Sequence, residues 1–128
     1  MKILEIDKDG GEESNAWAYW LIEWKSVFSI ALLRFSGKSR ECFHTHAFNA
    51  VSWVLRGELR EEFINPSIAG NTYRPSWKPI ITERDTFHKV SSDGDSWAIT
   101  FRGPWSKTWK ENTDAEGTYS LKSGRQKI

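Results

Sequence analysis

The stretch Phe43-His44-Thr45-His46-Ala47-Phe48-Asn49-Ala50 decides how this chain is read. Successive side chains on a β-strand point to opposite faces, so residues two apart share one. Extended backbone here turns His44 and His46 the same way and Thr45 the other. The only further histidine, His88, follows 42 residues after His46. Imidazole is the commonest protein ligand for transition metals. Two from one strand and one from another make three corners of a tetrahedron or half an octahedron, with positions open for water or substrate. His44, His46 and His88 are therefore the candidate metal ligands.

Working outward, the chain reads as short strands separated by Gly, Asn, Asp, Ser and Pro, with little helical periodicity. Met1 to Ile6 fits a strand, and Asp7 to Asn15 a loop. Ala16 to Trp24 fits a strand or a short helix. Val27 to Phe35 reads as a buried strand, and Ser36 to Ser39 as a turn. Ala50 to Leu55 and Leu59 to Ile64 read as two strands of a hairpin about a tight turn at Arg56-Gly57-Glu58. Short edge strands are expected near Tyr73 and Ile80. Ser91 to Asp95 reads as a polar turn. Beyond it Trp97, Ile99 and Phe101 alternate with Ala98 and Thr100, and Gly103-Pro104 ends that strand. The pattern predicts an all-β, single-domain antiparallel barrel or sandwich. Residues 1–15 form an N-terminal arm, 16–110 the barrel, and 111–128 a polar, flexible C-terminal tail. A barrel this small has an interior wide enough for side chains or one small ligand.

Composition narrows the classes of function. The formal net charge of +1 gives no footprint for nucleic acid or an anionic membrane. The basic residues Lys122, Arg125 and Lys127 read as a solvated terminus. One cysteine, Cys42, allows no intrachain disulfide and fits a reducing compartment. The first residues lack the apolar run of a signal peptide, and Val27 to Leu33 is too short to span a bilayer. A cytoplasmic protein is expected. Eight tryptophans are many for this length and are expected chiefly to fill the barrel and its rim.

With these residues in view, the chain resembles a cupin, a jelly-roll barrel. The first cupin motif carries Gly, His-x-His, Glu and Gly in order. Here it reads Gly37, His44-Thr45-His46, Ala50 in the Glu slot, and Gly57. The second motif, Pro-x-Gly-x-x-His, keeps only its histidine in Glu83-Arg84-Asp85-Thr86-Phe87-His88. Leu55-Arg56-Gly57-Glu58 and Arg102-Gly103-Pro104-Trp105 are similar to a group of small bacterial and phage cupins, which implies the fold and a histidine site but no particular reaction. Because Ala50 replaces the carboxylate, the chain looks like the three-histidine subset, of which the thiol dioxygenases are best known. Three neutral ligands leave the full charge on a divalent metal, which favours an anionic or chelating ligand and acidifies bound water. Iron(II) is the metal this resemblance implies first. Zinc, nickel, manganese and copper are compatible with imidazole.

Around the histidines, Asn49 and Cys42 are candidates for supporting hydrogen bonds or the site border. Ser52 and Arg56 share the face of Ala50 if alternation continues, and the planar fork of Arg56 suits a carboxylate or phosphate. Tyr73, Trp97 and Phe101 are candidate cavity walls, with ordinary packing the competing role for each. Glu61 and Glu62 read as decoration of a sheet surface. The expected function is an iron(II)-dependent, dioxygenase-like enzyme acting on a small molecule. The alternative is a non-catalytic cupin that captures a small anion, with or without metal. A third option is a structural module with a vestigial site. Cupins often dimerise through sheet edges or faces, so the resemblance implies a homodimer that would cover unpaired edge strands.

Overall fold

The computed structural model describes residues 2–8, 16–38, 43–106, 108–113, 117–122 and 126–127. They form strands and no helix: β1 (Lys2–Lys8), β2 (Ala16–Trp24), β3 (Phe28–Lys38), β4 (Phe43–His44), β5 (Ala50–Arg56), β6 (Leu59–Phe63), β7 (Asn71–Tyr73), β8 (Ile80–Thr82), β9 (His88–Arg102), β10 (Thr108–Thr113), β11 (Gly117–Lys122) and β12 (Gln126–Lys127). Every pairing is antiparallel. Ala16–Trp24, which fits either strand or helix locally, is a strand because buried Ala16, Ala18 and Trp20 alternate with outward Trp17 and Tyr19 in a sheet between β1 and β3. The chain beyond residue 110 continues as the strands β10 to β12.

The long β9 organises the molecule. One of its edges carries β3 and, at His88, β4; the other carries β5 and β6. The sheet extends past β3 to β2 and β1, and past β4 to β10, β11 and β12, with β8 on β5 and β7 on β6. This is the antiparallel jelly-roll arrangement, and among the described residues no ladder joins β1 to β12 to close a ring.

Two turns expected from the sequence are breaks in register along β9 and not hairpin turns. β5 and β6 both run antiparallel to β9, so they follow one another along its edge and do not form a hairpin. The register slips between Val54 and Arg56, and Gly57 takes φ +81° against the backbone of Asp95 and Ser96. Ser91 to Asp95 is likewise part of β9, with extra residues opposite Ser36 to Lys38 and Gly94 at φ +97°. Left-handed glycine serves a bulge as well as a tight turn, so the local signal was the same.

The inner face is built from small residues. Ala16, Ala18, Ala31, Leu33, Val54, Leu59 and Ala98 are buried with Trp20 and Phe35 in one cluster. Of the large rings expected to fill the barrel and its rim, Trp20, Phe35 and Phe48 are buried, and many of the others lie on the outer face. Tyr19, Leu32, Ile99 and Trp53 form one cross-strand row on the outer face, and Ile22, Ile30, Phe101 and Val51 another. No helix among the described residues is long and apolar enough to cross a membrane.

Candidate metal centre

The three histidines meet at one end of the interior. His44 stands directly opposite His88 in the β4–β9 pair, which places both side chains on one face. His46 lies just beyond β4 in extended backbone. Its amide donates to the Arg84 carbonyl at 3.1 Å, and the Thr45 amide donates to the Lys110 carbonyl at 2.8 Å. Thr45 turns away as alternation requires, and its hydroxyl accepts from the Lys110 amide at 2.8 Å. The ring centroids are 4.8 Å apart for His44–His46, 5.1 Å for His44–His88 and 5.0 Å for His46–His88, all edge-on. One ring nitrogen from each falls within 4.8 Å of the others. His44 and His88 are buried, and His46 is half-buried.

Glu61 orients the cluster. Its carboxylate accepts from His88 Nδ1 at 2.5 Å, from the Tyr73 hydroxyl at 2.7 Å and from Asn71 Nδ2 at 3.1 Å. Burial pushes the Glu61 carboxyl up, but the hydrogen bonds from His88, Tyr73 and Asn71 outweigh it and hold it below the usual carboxylate range. Burial and the hydrogen bond to Glu61 push the Tyr73 hydroxyl far up, so it stays protonated. With Nδ1–H donated to Glu61, the Nε2 lone pair of His88 points into the cluster. There it stands 2.8 Å from His46 Nε2.

These residues fit a metal. Two nitrogens bound about 2.1 Å from one ion at a right angle are about 3 Å apart, close to the spacing of the His46 and His88 nitrogens; the three donors together span up to 4.8 Å, so the rings would draw together to share one ion. A carboxylate behind a ligating histidine is the usual means of fixing its tautomer. His44, His46 and His88 would be the ligands.

The cluster opens on a cavity of about 110 Å³. Apolar side chains such as Leu33, Phe35, Leu59, Ile80, Val90 and Ala98 make most of the wall. His46 also borders an outer cleft of about 320 Å³ with Arg84, Asp85 and Lys110, so the cluster is approached from both sides. Of the residues expected around the site, Ser52 and Tyr73 line the cavity, Ser52 donating to Thr100 Oγ1 at 3.0 Å. Arg56 does not: the slip after Val54 sets it opposite Trp97 on the outer face, where it is exposed. Trp97 and Phe101 are on that face too. Trp97 packs on Tyr19 and Arg34, and Phe101 packs on Trp53. Asn49 is exposed, and its side-chain oxygen accepts from the Arg84 amide at 2.9 Å. Cys42 and Arg125 lie outside the described residues.

Two cavity residues escaped the sequence reading. Glu61 alternates with Leu59 and Phe63, so a carboxylate in phase with apolar neighbours was the available signal. It is 6% exposed, not a surface residue. Arg102 shares the inward phase of Ala98 and Thr100 and is 5% exposed. Its guanidinium lies over Phe48 at 4.5 Å and Trp20 at 5.3 Å, and its Nε is a buried donor with no protein acceptor, although the side chain is otherwise engaged.

Solved structures share this architecture, several of them described as cupins. A polyketide cyclase, RemF, from Streptomyces resistomycificus superposes with a TM-score of 0.64 at 12% identity, over 78% of this chain and 73% of that one. A sugar phosphate isomerase from a cupin superfamily of Silicibacter pomeroyi gives 0.61 at 12% identity, over 87% of this chain and 73% of that one. Fe(II)-HppE, with an alternative substrate, gives 0.62 at 13% identity, over 77% of this chain and 55% of that one. The chain therefore has the cupin fold. At these identities the likeness speaks for the fold alone. No protein-family model matches the sequence, and no curated protein matches it significantly.

Proposed function

We propose that this chain is a metal-dependent enzyme of the oxygenase type, with His44, His46 and His88 holding iron(II) and a small molecule as substrate. The observation that carries the reading is the convergence of three imidazoles with Glu61 fixed behind one of them. A divalent metal bound there supplies a Lewis-acidic centre with open positions, and iron adds a redox couple suited to dioxygen. The chain's own residues do the rest. Glu61 holds the His88 ring by Nδ1 so that Nε2 is presented to the cluster, Tyr73 and Asn71 hold Glu61, and the mostly apolar wall shapes the interior. Glu61 is the only carboxylate lining the cavity among the described residues, and it is committed to His88. That favours chemistry needing no separate general base over isomerisation or hydrolysis, which would want one within reach. The structural likeness to an iron(II) protein supports the choice of metal. A cytoplasmic setting would keep such iron reduced.

The test is anaerobic reconstitution with iron(II), followed by oxygen consumption across a panel of small organic acids and thiols. Consumption stimulated by a panel member and lost in His88→Ala supports the proposal. A stoichiometrically iron-loaded protein that consumes no oxygen with any of them contradicts it. One observation favours a second reading, capture without turnover: about 110 Å³ leaves little room for substrate and dioxygen together. On that reading a ligand binds and is recovered unchanged.

A further inference from the structure

We infer that the cavity takes a small organic monoanion, a carboxylate on a short apolar body, with Arg102 gripping the carboxylate. This rests on the reading of the cavity as the ligand site and adds the class of ligand.

The argument starts from the register. Arg102 on β9 faces Ala50 on β5 on one side and Ser29 on β3 on the other, so these side chains share the inner face. Alanine and serine are the short neighbours of a long cation. Ala50 and Arg102 both line the cavity. Glu23, itself buried, faces Ser29 from the far side and supplies a counter-charge on the same surface. An arginine carries five donors in a planar fork, more than one carboxylate can occupy. A second carboxylate, brought by a ligand, fits that fork in bidentate geometry.

The histidines and Arg102 are linked through Phe48. Its ring centroid is 5.1 Å from that of His46 and 4.5 Å from Arg102 Cζ. Both groups border the same cavity. A dry cavity of roughly 150 Å³ admits benzene, and this one is about 110 Å³, which limits a ligand to a body of a few heavy atoms. Most of the cavity wall is apolar, which suits carbon and penalises a second charge. One arginine matches a monoanion better than a phosphate dianion, which would need further donors.

The experiment is calorimetric titration of the full chain, metal-free and zinc-loaded, with butyrate, the neutral isostere butyramide, and inorganic phosphate. Zinc content is measured on the same samples. Butyrate should bind at least about tenfold more tightly than butyramide and more tightly than phosphate. Arg102→Met should erase the preference, and Arg102→Lys should keep part of it. Equal binding of butyrate and butyramide to the native protein overturns the inference even if Arg102→Met fails to fold. A preference for phosphate, or a butyrate preference that survives in folded Arg102→Met, also overturns it. The two readings fail separately. Butyrate selectivity through Arg102 without zinc uptake supports this inference while sinking the metal reading. Zinc uptake without that selectivity does the reverse.

Discussion

At the scale of single residues, Glu61 is the side chain on which the site turns. It is buried, accepts three hydrogen bonds, and selects which nitrogen of His88 faces the cluster. Glu61→Gln keeps the shape but replaces an anionic acceptor with an amide that also donates. Changes of this kind behind a metal ligand cost about 10- to 100-fold in metal affinity. Competition with a chromophoric chelator should show a loss of that size in Glu61→Gln, with the circular dichroism spectrum unchanged. Affinity equal to that of the native chain would mean that His88 does not depend on Glu61. The histidines were legible because a period of two needs only one strand to be seen. Glu61 was hidden because the assumed surface strand gave its carboxylate an easy home in water. Arg56 failed as an anchor because a single extra residue, Leu55, reverses the face of everything after it. Arg102 was missed because its phase was assigned by the bulk of Trp97 and Phe101, and here bulk faces outward.

At the scale of elements, the passage from β5 to β6 along one edge of β9 is what brings Glu61 to His88. Gly57 makes that passage with φ +81°, and a Cβ there would run into Ser96 Oγ and lie 2.7 Å from the Asp95 carbonyl oxygen. Ser96 Oγ also accepts from the Glu58 amide at 3.1 Å and donates to the Glu58 carbonyl at 3.0 Å, so the crossing is tied from both sides. Gly57→Ala should destabilise the fold by about 3 kcal/mol, combining the left-handed penalty with overpacking against backbone. Urea denaturation gives the measurement. A change below about 0.5 kcal/mol, the level of an ordinary surface substitution, would contradict the crossing described. The strands themselves were legible from β-branched and aromatic runs bounded by turn residues. Their connection was not, because a glycine at positive φ has the same local signature in a bulge as in a hairpin turn, and only the long-range partner tells them apart.

At the scale of the whole molecule, small inward residues and a polar cluster share one cavity. Ala16, Ala50 and Ala98 line it together with the histidines, Glu61 and Arg102. The all-β class and the histidine site were legible because strand-length patterning and ligand spacing are local properties. The shape of the interior was not, because it depends on which face of each strand curls inward. A metal that binds only the folded state stabilises it by mass action, by about 2.7 kcal/mol at a hundredfold excess over the dissociation constant. The measurement that most directly tests the central claim is therefore a transition-metal titration of the metal-free chain, read by bound metal and by thermal unfolding. His44→Ala, His46→Ala and His88→Ala are titrated alongside. The account expects one equivalent bound, a higher midpoint on binding, and loss of both in each variant. No uptake by the native chain, or uptake unchanged when the histidines are removed one at a time, would contradict it.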